Sequence, residues 1–267
     1  MQQREDSTRG HGSGSMPALR GALMTAAAIT SSEPRLDIGW VVGATWRVLR
    51  TRAVDLILVA LPFLWLPGLI AGFAPDNRPV QLLMNLPGLV FTGGGSLITY
   101  QTLTAGLPVT ASDATRAAAG RFGTLWLVAI ASGLLFVIGL VLLIVPGVIA
   151  GVGFCTASAA VMAENKNTGP AMERAWDLSR GQRWRLLALV GLLLVAGLGV
   201  LLAGGIVGAI LGLTGQQDAL DPVFNLGFGP IAETAIAMIT TVGTAAAYVG
   251  LRKAKEGPAE DIARTFE

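Results

Sequence analysis

The sequence predicts an all-α membrane protein: a six-transmembrane helical bundle, grouped as three units of interfacial helix plus hairpin. Three observations predict it. Charge is sparse: 13% of the 267 residues are Asp, Glu, Lys or Arg, while 52% are hydrophobic. A soluble domain carries about 25% charged residues. Six apolar stretches each approach the roughly 20 residues that a helix needs to cross the hydrocarbon core. The basic residues fall in alternate connecting segments. Mean hydropathy, at +0.62, agrees.

The domain organisation follows in chain order. Residues 1–36 are small, polar and rich in Ser, Gly and Arg, the composition of a disordered tail. Within them, 19–30 loosely resembles a signal peptide, but it is poor in Leu and lacks a clear cleavage site. A start at Met16 or Met24 is an equal alternative. Residues 37–52 (DIGWVVGATWRVLR and the next two) read as an amphipathic helix. Ile38, Val41, Val42, Thr45 and Leu49 fall at helical spacing, Arg47, Arg50 and Arg52 gather at the end, and Trp40 and Trp46 favour an interface. That pattern suits a helix in the headgroup plane; the alternative is a simple lead-in to the first span.

The expected spans are 53–73, 80–103, 122–145, 148–163, 186–213 and 228–251, so the membrane domain covers 37–252. Turns are expected at 74–78 and 215–221. Polar segments are expected at 108–121 and 164–185, and a charged cytoplasmic tail at 253–267. Breaks are expected at Pro87-Gly88, at Gly93-Gly94-Gly95 and at Pro146-Gly147, since proline removes a backbone donor and glycine tolerates a bend. The fifth span is long enough to tilt or to break at Gly204-Gly205. Leu66-Pro67-Gly68 repeats the Pro-Gly pattern, which makes turns or kinks and in transporters can line a substrate site. Gly204, Gly208 and Gly212, and also Gly147 and Gly151, have the four-residue spacing that lets helices approach closely in lipid.

Orientation follows from charge. With six spans and the N-terminus inside, the inside segments hold seven, two, five and four basic residues, eighteen of the nineteen Lys and Arg. The outside turns hold Arg78 alone, beside Asp76, Asp218 and Asp221. Both termini are therefore expected in the cytoplasm. Three inside segments resemble one another: ATWRVLRTRAVDLILVAL from Ala44, ATRAAAGRFGTLWLVAI from Ala114 and MERAWDLSRGQRWRLLALV from Met172. Each is an amphipathic stretch, then Arg, then an apolar span, and each leads into two spans. Chance is a rival, because any helix entering lipid from the basic side shows Arg before Leu.

Candidate site residues are few. Ionisable groups inside spans are functional candidates by default, and here they are Asp55 and Glu233. Asp55 lies near the basic side, within reach of Arg50 or Arg52. Glu233 lies nearer the other face and is a candidate to line a polar cavity, with Tyr100 or Gln101 from the second span. Arg47, Arg50, Arg121, Arg183 and Arg185 stand at span entrances as candidate contacts for anionic lipid headgroups. No cofactor is expected. A net charge of +2 is too small to suggest nucleic-acid binding. The single histidine, His11, sits in the tail, and the single cysteine, Cys155, sits in an apolar stretch. No phosphate-binding loop, nucleophile elbow, zinc-protease or paired-cysteine motif is present. These observations argue against an enzyme.

Two segments carry a resemblance: VPGVIAGVGFCTASAAVMAENKNTGPAMERAWDLSRGQRWRLL from Val145, and AAYVGLRKAKEGPAEDIA from Ala246. Together they resemble the membrane domain of bacterial glycerophosphoryl diester phosphodiesterases and of related stand-alone multi-pass proteins. The matching positions are Pro146, Gly147, Glu164, Ala171, Trp176, Leu178, Gly181, Trp184, Tyr248, Leu251 and Arg252. The resemblance implies a bacterial inner-membrane protein. It does not bring the phosphodiesterase activity, which belongs to a separate soluble barrel with histidines and metal-binding carboxylates that this chain lacks. Three functions compete. They are a non-enzymatic, lipid-associated scaffold or envelope-maintenance protein, a small-solute or ion transporter or channel subunit, and a lipid-modifying enzyme without an evident acid–base group.

Overall fold

A computed structural model describes residues 35–73, 77–104, 109–213 and 227–257. Residues 1–34 of the N-terminal tail, most of the 74–78 turn, the 215–221 loop and residues 258–267 of the C-terminal tail lie outside the described residues. From Leu36 onward the chain is one unit, helical among the described residues and free of strands there.

The first helix, α1 (Ile38–Thr51), starts where Asp37 caps it, its carboxylate accepting from the Trp40 amide at 3.2 Å. Its buried face is Val41, Ala44, Thr45 and Val48. The expected apolar face is therefore rotated: Val42 is exposed. The reason is a protein partner, since Leu36 and Val41 pack on Gly250 near the end of the chain. The first span follows as α2 (Ala53–Ala60), a π-helical turn (Leu61–Trp65) and α3 (Leu66–Gly72). Pro62 and Pro67 each remove an amide. The helix widens instead of breaking, with the Leu66 N–H reaching back to the Leu61 carbonyl. Widened turns of this kind often mark functional positions.

The second span is α4 (Arg78–Asn85), capped by Asn77, then a turn at Leu86-Pro87, then α5 (Gly88–Thr104). The Pro87 break is as expected; the break at Gly93-Gly94-Gly95 does not occur. Those glycines are buried in an intact helix, and a Cβ on Gly93 would lie 2.6 Å from Leu125 Cδ1. They serve close packing. A second short helix, α6 (Ala111–Gly120), is capped by Thr110.

The third and fourth spans are α7 (Phe122–Leu142), and α8 (Ile144–Phe154) with α9 (Ala157–Glu164). Between them the chain reverses at Leu143, which is extended at φ −166° and ψ 137°. The expected break at Pro146 is thus three residues too late. Pro146 lies in the first turn of α8, where a missing N–H has no intrahelical partner to lose. Beyond Asn165, which is left-handed at φ 54°, come the third short helix, α10 (Thr168–Ser179), and a turn through Gly181 at φ 79°. The fifth span, α11 (Arg183–Leu213), is unbroken through Gly204-Gly205. The last, α12 (Gly229–Glu256), is unbroken too.

Six helices are thus long and apolar enough to cross a membrane among the described residues, and the chain is an all-α membrane bundle. The spans divide by burial. In the most apolar stretch of the first, third and fifth, 22%, 17% and 22% of residues are buried. In the second, fourth and sixth the shares are 44%, 44% and 56%. Each outer span is also more apolar than any inner one. The inner three pack on one another, through small side chains such as Ala159, Ala160, Ala245 and Ala246. In lipid such packing, and not water expulsion, holds helices together. Each short helix precedes an outer span, which is followed by an inner one, three times over.

Candidate functional site

Two sites hold polar side chains that the helices bring together. The first caps the inner trio at the end bearing the short helices. Tyr100 comes from the last turn of α5, Glu164 from the end of α9, Arg174 from α10, and Tyr248, Arg252 and Glu256 from successive turns of α12. Positions 248, 252 and 256 recur every four residues and so share one face.

Arg174 is the hub. Its Nε donates to Glu164 Oε1 at 2.9 Å, and its Nη2 donates to Glu256 Oε1. The Tyr248 hydroxyl donates to the same Glu164 oxygen, while Lys166 Nζ lies 2.7 Å from Glu164 Oε2. Arg252 completes the set, its Nε donating to Glu256 Oε2 at 2.8 Å and its Nη1 to the Tyr100 hydroxyl at 2.6 Å. The two tyrosine rings stand 6.3 Å apart. Burial opposes charge on Arg174, but hydrogen bonds to Glu256 and Glu164 outweigh it and raise its pKa above the ordinary arginine value. Each carboxylate is thus neutralised by a cation from another element or turn. The arrangement ties two inner spans to the third short helix.

Clamps of the same kind surround it. Arg121 donates through both terminal nitrogens to the carbonyls of Lys166 and Asn165, at 3.0 and 3.1 Å. Arg185 Nη1 donates to the Leu36 carbonyl at 2.7 Å, and the Leu36 amide donates to Gln182 Oε1 at 3.1 Å. Arg183 stacks over Trp176 at 4.0 Å, and Trp176 stacks on Phe154 at 5.2 Å. Lys253 covers Trp40 at 4.5 Å.

The second site is a cleft of about 590 Å³ between α11 and α12, at the opposite end. Its walls include Leu201, Gly205, Phe228, Ala232 and Ile236, and Glu233 is the ionisable group among the described lining residues. Glu233 also borders a smaller cavity of about 120 Å³, with Pro67, Gly68 and Asn85 of the first hairpin. A Cβ on Gly68 would meet Glu233 Oε2 at 3.7 Å.

The sequence-picked residues therefore separate. Asp55 pairs with Arg52, Nη1 to Oδ2 at 3.0 Å, and not with Arg50, which lies 5.5 Å over the Trp46 ring. Glu233 lines a cleft whose other described walls are apolar, in place of the expected polar cavity, and Tyr100 and Gln101 are not among the lining residues. The correction has a simple cause. Tyr100 is level with Tyr248 and Arg252, and 248 lies fifteen residues from 233, roughly 22 Å along a helix rising 1.5 Å per residue. Arg47 and Arg50 are exposed. Arg121, Arg183 and Arg185 are half-buried and engaged with the chain itself. Sequence reasoning does not single out Arg174, Lys166 or Glu256. The local signals for them are Arg252 and Glu256 at four-residue spacing and Lys166 two residues after Glu164; the contacts of Arg174 and Tyr248 join separate helices. Glu164, Tyr248 and Arg252, three positions of the phosphodiesterase resemblance, meet there. Compared with protein-family models, curated proteins and solved structures, the chain matches none.

Proposed function

We propose that this chain is a non-enzymatic, multi-pass protein of the bacterial inner membrane, with both termini cytoplasmic. Its role is that of a lipid-associated scaffold or envelope-maintenance module. The observation that carries the reading is the set of three short helices. Because six spans alternate, α1, α6 and α10 all stand at one end of the bundle. Their inner faces pack on the bundle through Val41, Ala44, Ala114, Ala118, Ala171 and Ala175. Arg47, Arg50, Arg116 and Arg180 remain exposed there, with Trp46 and Trp184. A basic, aromatic rim around apolar spans suits the anionic headgroups of a cytoplasmic leaflet. The polar cap supports a structural role, because its carboxylates are spent on arginines and a tyrosine. The resemblance to phosphodiesterase membrane domains supports a module that anchors or organises.

Labelling and lipid retention test this together. In a Cys155→Ala background, a cysteine at Asn77 should react with an impermeant maleimide added to intact cells. Cysteines at Arg116 and Arg180 should react only after permeabilisation. Native mass spectrometry of the purified protein should show phosphatidylglycerol or cardiolipin enriched over the bulk membrane. Replacing Arg47, Arg50, Arg116 and Arg180 with Gln should remove that enrichment. The reversed labelling pattern would overturn the orientation, and retained lipid in bulk proportions would overturn the headgroup reading.

A further inference from the structure

We infer that the cleft between α11 and α12 binds a monovalent lipophilic onium cation, an ammonium or phosphonium head on an apolar body, with Glu233 as its counter-ion. Among the described residues four carboxylates lie in the spans: Asp55, Glu164, Glu233 and Glu256. Asp55, Glu164 and Glu256 are each in an ion pair, and Glu233 is in none with a described residue. It is exposed to the cleft, about one turn into the last span. A carboxylate at membrane depth calls for a counter-charge. The sequence offers little at that end: residues 214–226 carry Asp218 and Asp221 and no Lys or Arg. Arg78 lies exposed at the start of α4 and does not pair with Glu233.

The walls select the kind of cation. A bare metal ion needs about six oxygen ligands, and among the described residues this cleft offers one carboxylate, beside Leu201, Phe228, Ala232 and Ile236. An onium head is weakly hydrated and needs no such shell. Its alkyl or aryl groups match the apolar walls, and an aromatic ring such as Phe228 attracts a cation over its face. That ring is seated on Gly204, where a Cβ would lie 1.8 Å from Phe228 Cε1, so the wall is built. At about 590 Å³ the cleft has the volume of a small-molecule site. Gly205 keeps it open, because nothing lies within 4 Å of a Cβ placed there.

The test uses the full chain in phosphatidylcholine nanodiscs, whose lipid has no net charge to retain the probe, and tritiated tetraphenylphosphonium. Binding should saturate at one per chain, and tetrabutylammonium should displace it while a hundredfold excess of sodium does not. Glu233→Gln should weaken it at least tenfold, and Glu233→Asp should keep part of it. Gly205→Leu fills the cleft without touching the charge. It should weaken binding tenfold or more while the thermal midpoint stays with the parent's, which keeps the test decisive if Glu233→Gln folds poorly. Uptake no greater than in empty nanodiscs would overturn the proposal. So would equal affinity in parent, Glu233→Gln and Gly205→Leu, or displacement by sodium.

Discussion

At the scale of single residues, Arg174 has the most to lose. It reaches Glu164 and Glu256 at once, and those carboxylates belong to different helices. Its pKa is raised by these partners against the opposing effect of burial, so it stays cationic throughout any workable pH range. Arg174→Gln removes the charge from between two carboxylates. A hydrogen bond to a charged group is worth about 1.5–3 kcal/mol, and partial exposure of all three side chains brings the pair to the lower end of the two-bond total or just below it. The expected loss is about 2–3 kcal/mol of unfolding free energy, read by thermal or denaturant unfolding in detergent. Tyr248→Phe removes one bond while Arg174 and Lys166 still hold Glu164, so about 1 kcal/mol is expected. Equal losses in the two variants would contradict a hub at Arg174. Little of this cap was legible in the sequence. Glu164, Tyr248 and Arg252 stand out only as positions of a resemblance, and the sequence suggests Glu233 as the neighbour of Tyr100. Periodicity shows which residues share a face of one helix, but not the height at which two helices cross.

At the scale of elements, the third and fourth spans form the closest hairpin. A Cβ on Gly147 would lie 2.5 Å from the backbone nitrogen of Leu140, and one on Gly139 would lie 2.6 Å from the Gly147 Cα. The opposing atoms are main chain and cannot rotate away. Gly147→Val should therefore cost more than about 3 kcal/mol, at or above the usual range for overpacking, and should lower the yield of folded protein. Gly133, on α7, has nothing within 4 Å of its Cβ position. Gly133→Ala should stabilise by roughly 0.5–1 kcal/mol, the helix-propensity difference. Unfolding midpoints that move the same way for both would refute this division of glycines. Here the sequence was more informative. All six spans were legible, because length and apolarity are properties of the segment alone. The breaks were less so. Gly93 to Gly95 and Gly204-Gly205 are intact helix, since in lipid an unsatisfied backbone group is costlier than a glycine's lost entropy. Leu143, without any special chemistry, is where the chain reverses; Pro146 marks the helix start that follows.

At the scale of the whole molecule, the bundle has an inside and an outside although lipid surrounds it. The second, fourth and sixth spans are the inside, and their lower apolarity records it. Polar hydroxyls such as Thr99 and Thr241 are buried there, while the outer spans present Leu, Ile and Val to the membrane. Alternation of outer and inner spans, each pair introduced by a short helix, gives physical form to the three similar Arg-Leu segments. Such an arrangement fixes where bulk is tolerated. Ala160 and Ala246 are fully buried between helices, so leucine there must separate packed backbones, at about 1–3 kcal/mol or more. Ala129 and Ala203 lie exposed on outer spans, where leucine meets only lipid chains and should fall within about 0.5 kcal/mol of the parent. The four Ala→Leu variants, compared by unfolding midpoint in one detergent, should therefore sort by span and not by hydropathy, since every substitution adds the same apolar side chain. A loss at Ala203 matching that at Ala246 would mean that the outer face is itself covered, by a second copy or another protein. The inner and outer division would then belong to the isolated chain and not to the assembled protein.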